Sequence, residues 1–185
     1  MTTKPLIAIA AFAVIVSPAF AQQNSSQSGL GVSIGIFEPS SKSLRDDLGN
    51  SFLTFGLAGT SSGRPSEGAI TPEYSFIIAN GNGNQLFILP FTYGYEYHFG
   101  AASTSKILPY ARPFIGAAFY DYAITDQVTG IHSAAKQLGA TYGAEVGLLI
   151  GKKIKLSAAY NYFTQSNGFS FNGLSLSASY TLFNL

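Results

Sequence analysis

From Gly29 onward, large apolar side chains recur at every second position, in run after run, broken by clusters of Gly, Asn and Ser. GLGVSIGIF (29–37) sets Leu30, Val32, Ile34 and Ile36 against Gly31, Ser33 and Gly35. SFLTFGLAG (51–59) alternates Leu53, Phe55 and Leu57, and AITPEYSFIIA (69–79) places Ile70, Pro72, Tyr74, Phe76 and Ile78 in phase. QLFILPFTYGYEYHF (85–99) carries Phe87, Leu89, Phe91, Tyr93, Tyr95, Tyr97 and Phe99 on its odd positions. ILPYARPFIGAAFYDY (107–122), LGATYGAEVGLLI (138–150), KIKLSAAYNYF (153–163) and LSLSASYTL (174–182) continue the pattern. A period of two is the mark of a strand with unlike faces, and no sustained period of 3.6 competes with it.

The breaks supply turn chemistry. EPSSKSLRDDLGN is polar and predicts one helical turn from Ser41, closed by Gly49. NGNGN (80–84) predicts a tight hairpin, and Gly151-Lys152 a two-residue turn. TSSGRPSEG (60–68), GAASTSK (100–106) and TQSNGFSF predict loops, and residues 125–136 a long one.

Eight strands of this length and even number predict an all-β, eight-stranded antiparallel up-and-down barrel that spans a membrane. The two faces say which way it is turned. The non-apolar faces hold Gly, Ser, Thr, Ala and a few ionisable groups, too small and sparsely charged for a water-facing skin. They suit the crowded interior of a narrow barrel. The large residues then face lipid, which closure permits because every backbone group finds a partner. Phe87, Phe91, Tyr93, Tyr95, Tyr97, Tyr160 and Tyr162 are the predicted lipid-facing aromatic belt.

The fifth strand is the hard case, since Arg112 shares its phase with Tyr110, Phe114, Tyr120 and Tyr122. An arginine facing lipid at mid-strand costs about 2–4 kcal/mol, so Arg112 is turned inward with Gly116 and Ala118. Pro109 and Pro113 admit a bulge that changes the phase. Hairpin arithmetic then sets Glu96 diagonal to Arg112, near Pro109 and Tyr110, and Glu145 opposite about residue 114. Glu73 and Lys155 are more distant members of one polar lumen network, since buried charges need pairing. Such a network serves either as a plug that fixes register or as a gate across a small pore.

The first residues change the setting. MTTKPLIAIAAFAVIVSPAFA has one lysine, an apolar run and a small-x-small ending, a secretory signal with cleavage expected after Ala21. The chain divides into a signal peptide (1–21), a flexible polar terminus (22–28) and a barrel domain (29–185). Without Lys4 nine basic residues balance nine acidic ones, which argues against nucleic acid as a partner. Charged residues are 10% of the chain, against about 25% in ordinary soluble domains. There is no cysteine, so this exported chain forgoes disulfides. His98 and His132 have no second ligand at metal spacing and are expected at the surface. His132-Ser133 are adjacent and cannot form a triad. Neither a catalytic centre, a metal site nor a cofactor is expected.

The signal ending Ala19-Phe20-Ala21, the opening GVSIGIFEP, the LPYARPFIGAAFYDY strand and GAEVGLLIGKKIKLSAAYNYF before a last alternating strand carry a resemblance by their order. The chain resembles the small eight-stranded outer-membrane β-barrels of bacteria, those grouped with the OmpA-like transmembrane domain and the OmpW-like and OmpX-like proteins. That resemblance implies a place in the cell outer membrane, outer-membrane lipid as surroundings and insertion by the barrel assembly machinery. It also implies four surface loops, whose ligand is unknown, three periplasmic turns, and structural, adhesive or porin-like roles without enzymatic activity. The ending Phe183-Asn184-Leu185 departs from the outward terminal aromatic of such barrels, because Phe183 and Leu185 fall out of phase with Tyr180 and Leu182. The competing expectation is a secreted, soluble, lipocalin-like barrel, which would turn its apolar faces inward around an apolar ligand.

Overall fold

The computed structural model describes residues 28–61, 68–99, 106–127, 129–151 and 153–184. The expected signal peptide, its cleavage after Ala21 and the polar stretch 22–27 lie outside the described residues. Eight strands form one closed antiparallel barrel in sequence order. They are β1 (Ser28–Pro39), β2 (Phe52–Ser61), β3 (Ala69–Gly81), β4 (Asn84–His98), β5 (Ile107–Thr125), β6 (His132–Ile150), β7 (Ile154–Phe163) and β8 (Gly173–Asn184). A short helix, α1 (Lys42–Leu48), stands between β1 and β2.

Four connections (40–51, 82–83, 126–131 and 164–172) lie at one end, here the loop end; the other, where β1 begins and β8 finishes, is the terminal end, and the expected loops at 60–68 and 100–106 lie largely outside the described residues. Following partners around the barrel from Phe163 leads through Thr141, Gly116, Thr92, Glu73, Ala58, Gly31 and Thr181. Thr181 donates its N–H to the carbonyl of Lys153, so the path returns to the seventh strand's lane at Lys153, ten residues from Phe163. Such a stagger means strongly tilted strands, typically about 35–45° from the barrel axis.

The alternation follows the sequence. Ile34, Leu53, Ile70, Tyr95, Ile115, Tyr142, Val146 and Tyr180 are exposed on the outer face. Arg112, Tyr110, Glu96 and Glu145 are buried inside. The barrel is therefore apolar on its outer wall, where a soluble lipocalin-like barrel would present polar side chains to water.

Several expectations are corrected. No bulge interrupts β5: its pairing with β6 runs unbroken from Ile107↔Ile150 to Thr125↔His132, past both prolines. Residues 125–136 are no long loop, because the hairpin continues and only 126–131 connect the strands. The single turn at Ser41 extends into the helix α1, ended by Gly49 in the left-handed region at φ 102°. A bulge does occur elsewhere. Leu30 pairs with Phe183 but Gly31 with Thr181, which leaves Leu182 as an extra residue in β8. That residue restores the phase, and Phe183 faces outward, 62% exposed. Leu185 lies outside the described residues.

Candidate functional site

The interior is the candidate site, and it has two unlike halves. Toward the chain-terminal end, Arg112 on β5 is 1% exposed and reaches across to β3. Its Nε donates to Thr71 Oγ1 (2.9 Å) and its Nη1 to Glu73 Oε2 (2.9 Å) and Glu145 Oε2 (3.3 Å). Its Nη2 donates to the Thr71 carbonyl (3.2 Å) and to Thr92 Oγ1 (3.3 Å). Lys155 on β7 sits between Glu96 Oε2 and Glu145 Oε1, 2.9 Å from each. Glu96 Oε1 meets His98 Nε2 at 2.9 Å, and the Tyr110 hydroxyl donates to Glu145. The Lys155 ammonium also lies over the Tyr110 ring, 4.6 Å from its centroid.

Three carboxylates thus face two cations and a histidine in a low-dielectric interior. Each carboxylate has at least one charged partner, which is the condition for tolerating it there. The register explains the arrangement. Arg112 is directly opposite Glu145 rather than two residues away. Gly94↔Phe114 and Tyr97↔Ala111 bracket Glu96 and set it opposite Arg112, yet its carboxylate turns to Lys155 and His98. Glu73 and Lys155, expected as distant members, are in direct contact with the network. His98, expected at the surface, is buried at 1% exposure. Gly94 makes room for the guanidinium, because a Cβ there would overlap Arg112.

Toward the loop end the interior is apolar. Phe37, Phe52, Ile77, Leu86, Ile88, Tyr120, Tyr122 and Phe163 project inward from the strands, joined by Leu44 and Leu48 of α1 and by Phe169 and Phe171 of the last loop. Sequence reasoning missed this core because a strand such as Leu86-Phe87-Ile88-Leu89 is apolar on both faces. The available signal was that the inward positions change from large to small or charged partway along β4.

Helix α1 is fastened over the mouth. Asp47 Oδ1 accepts from the Gln127 N–H (3.1 Å), and Asn84 Nδ2 reaches the carbonyls of Asp47 and Thr125, each at 3.3 Å. Arg45 Nη1 donates to the carbonyls of Pro39 (2.7 Å) and Ser40 (2.9 Å). The last loop turns inward at Asn167 and Gly168, both at positive φ, and Tyr122 and Ser166 share a hydroxyl hydrogen bond of 2.6 Å.

On the outside, Tyr93, Tyr95 and Tyr97 lie toward the terminal end, all exposed, with Phe91 tilted against Tyr74 (centroids 4.6 Å) and Phe87 near Phe76 (6.1 Å). Tyr160 and Tyr162 lie toward the loop end, where Tyr162 stacks on Tyr142 at 5.1 Å. His132 is exposed and contacts Thr125 Oγ1. No group of three His, Cys, Asp or Glu side chains suited to a metal occurs among the described residues.

A closed eight-stranded barrel with an apolar outer wall and a filled interior belongs to the class of membrane-spanning β-barrels. The model of the outer membrane protein β-barrel domain family matches residues 7–181, and the chain belongs to that family. Solved structures share the fold at low identity. Ail, the attachment invasion locus protein of Yersinia pestis, is 12% identical with a TM-score of 0.55, over 85% of this chain and 99% of that one. Neisserial surface protein A is 13% identical with a TM-score of 0.53, over 84% and 96%. The N-terminal β-barrel domain of Pseudomonas aeruginosa OprF is 12% identical with a TM-score of 0.50, over 85% and 98%. No curated protein sequence matches the chain.

Proposed function

We propose that this protein is a non-enzymatic structural barrel of the outer membrane, closed to solutes at rest. The observation that supports this most is the doubly filled interior, apolar at the loop end and ionically cross-linked at the other. On this reading the belt of Phe87, Phe91, Tyr93, Tyr95, Tyr97, Tyr160 and Tyr162 faces lipid, with the tyrosines at the headgroups. The outward Phe183 near the chain end would serve recognition by the barrel assembly machinery, and the exposed residues of the loops would be available for surface contacts. Proteoliposome swelling tests the closure, since no uptake of a small neutral sugar above protein-free vesicles is expected. Steady uptake would overturn it.

A second reading has its own observation. The Glu73 side chain keeps 25% exposure although its partner Arg112 has 1%. A guanidinium shared between Glu73 and Glu145 can exchange partners, which is what a gate across a narrow pore requires. Under that reading, neutralising Arg112 opens the barrel to the same sugar.

A further inference from the structure

The terminal end carries two cations without a counter-charge. Lys106 immediately precedes β5 and Lys153 immediately precedes β7. Gly151 lies between them in the sheet. Its N–H donates to the Lys106 carbonyl (2.8 Å), and Lys153 closes the turn by donating its N–H to the Ile150 carbonyl (3.2 Å). The two lysines therefore stand two strand spacings apart, roughly 10 Å, which two extended side chains can close on one anion. Both are exposed, and neither side chain meets a carboxylate or a hydrogen-bond partner among the described residues. The lumen carboxylates do not serve them, because Glu73, Glu96 and Glu145 are committed to Arg112 and Lys155. The loop end differs: Lys136 is held 2.8 Å from Asp121, and Arg45 donates to the carbonyls of Pro39 and Ser40.

Above these lysines the outer wall is grooved. The groove runs over β6, β7, β8 and β1, with Ala158 and Ala178 as its floor. Register sets each alanine between larger side chains: Ala158 between Val146 and Leu176, and Ala178 between Leu156 and Ile34. All four flanking residues are exposed on the outside. The ten-residue stagger leans the strands, so a line parallel to the barrel axis from the two lysines crosses β7 near Leu156 and β8 near Ala178. Ala158 follows Lys153 by five residues. That is about 17 Å along the strand and about 12 Å in depth at a tilt near 45°. One acyl chain covers half of a hydrocarbon core about 30 Å thick, so the groove meets the deeper part of such a chain. Ile107 and Ile154, both exposed, border the lysines on the apolar side.

We propose that this face holds one anionic phospholipid, its phosphate bridged by Lys106 and Lys153 and an acyl chain laid over Ala158 and Ala178. The inference rests on the reading that the barrel spans a membrane with its outer wall in lipid. Unpaired cations below and an apolar furrow above, on adjoining strands, match the two parts of one amphiphile. A soluble anion would use only the lysines, and a zwitterionic lipid would gain little beyond the groove. Lysines at this depth lay their stems on the apolar wall and keep their ammonium groups among the headgroups. Their attraction to anionic lipid adds to the apolar contact and is screened by salt.

The test is native mass spectrometry of the refolded chain, released from nonionic detergent holding phosphatidylglycerol or phosphatidylcholine of identical chains. One bound phosphatidylglycerol is expected, retained about tenfold over phosphatidylcholine, with the preference shrinking as ammonium acetate is raised. Lys106→Gln combined with Lys153→Gln should bring the two lipids within about twofold of each other. Ala158→Leu fills the groove with every charge in place and should weaken both lipids severalfold. Lys136→Gln at the loop end should change neither, and glycerol phosphate, a headgroup without chains, should not displace the lipid. Equal retention of both lipids, an undiminished preference in the double lysine variant, or unchanged binding in Ala158→Leu overturns the proposal. So does displacement by glycerol phosphate, or a two-chain mass that Ala158→Leu abolishes, which would put a second copy on this face. Heat-modifiable migration of each sample keeps the two readings apart. A heat-modifiable barrel without lipid preference sinks this proposal alone, whereas a chain soluble without detergent and of single mobility sinks the membrane reading as well.

Discussion

The two halves of the lumen solve the same packing problem by opposite means. At the loop end, eleven inward side chains from the strands and four more from α1 and the last loop fill the barrel with apolar volume. At the other end, Arg112 and Lys155 fill it with charge, satisfied by Glu73, Glu96 and Glu145. The apolar half loses only what each missing side chain contributed. The ionic half is a set of mutual dependencies, so removing one member strands the others. Differences in how each half fails are therefore the sharpest probe of the arrangement.

The largest effect is expected at Arg112. Arg112→Met leaves Glu73 without its cation and Glu145 with only Lys155, and should cost about 3–5 kcal/mol, measured as the urea midpoint of the heat-modifiable band. Adding Glu73→Gln to that variant should recover part of the loss, because the stranded charge is gone. Leu44→Ala comes next, at about 2 kcal/mol or more, with α1 becoming open to proteolysis while the barrel stays heat-modifiable. Gly94→Ala adds a methyl where the guanidinium lies, and about 1–3 kcal/mol is expected without any change of charge. A cost near zero there would mean that Arg112 can relocate. Lys136→Gln is the contrast outside the lumen: its partner Asp121 is partly solvated, Lys136 is 71% exposed, and under about 1 kcal/mol is expected.

How much of this was legible in the sequence follows from the physics of each feature. The eight strands and their phase were legible because a two-residue period needs no tertiary information, and Arg112 could be turned inward from the cost of facing lipid alone. Of its partners, Glu145 was placed within two residues by hairpin arithmetic, but the direct contact with Glu73 and the turn of Glu96 toward Lys155 were not legible. They depend on a ten-residue stagger and on side chains that cross the lumen, so Glu73 on β3 meets an arginine two strands away. The apolar plug was hidden by strands that are apolar on both faces, and His98 looked like a surface residue because its strand end carries no sign of depth. The phase of Phe183 rests on one extra residue, Leu182, and a bulge of that kind leaves no mark in alternation until its partner strand is known.

The most direct test of the central claim, that both halves close the interior, is planar-bilayer conductance of the purified wild-type protein beside Arg112→Met and Leu44→Ala. Closure predicts a silent wild type and Leu44→Ala, since the ionic half still seals the barrel when α1 is loosened. A wild type that opens steadily at low voltage would contradict it.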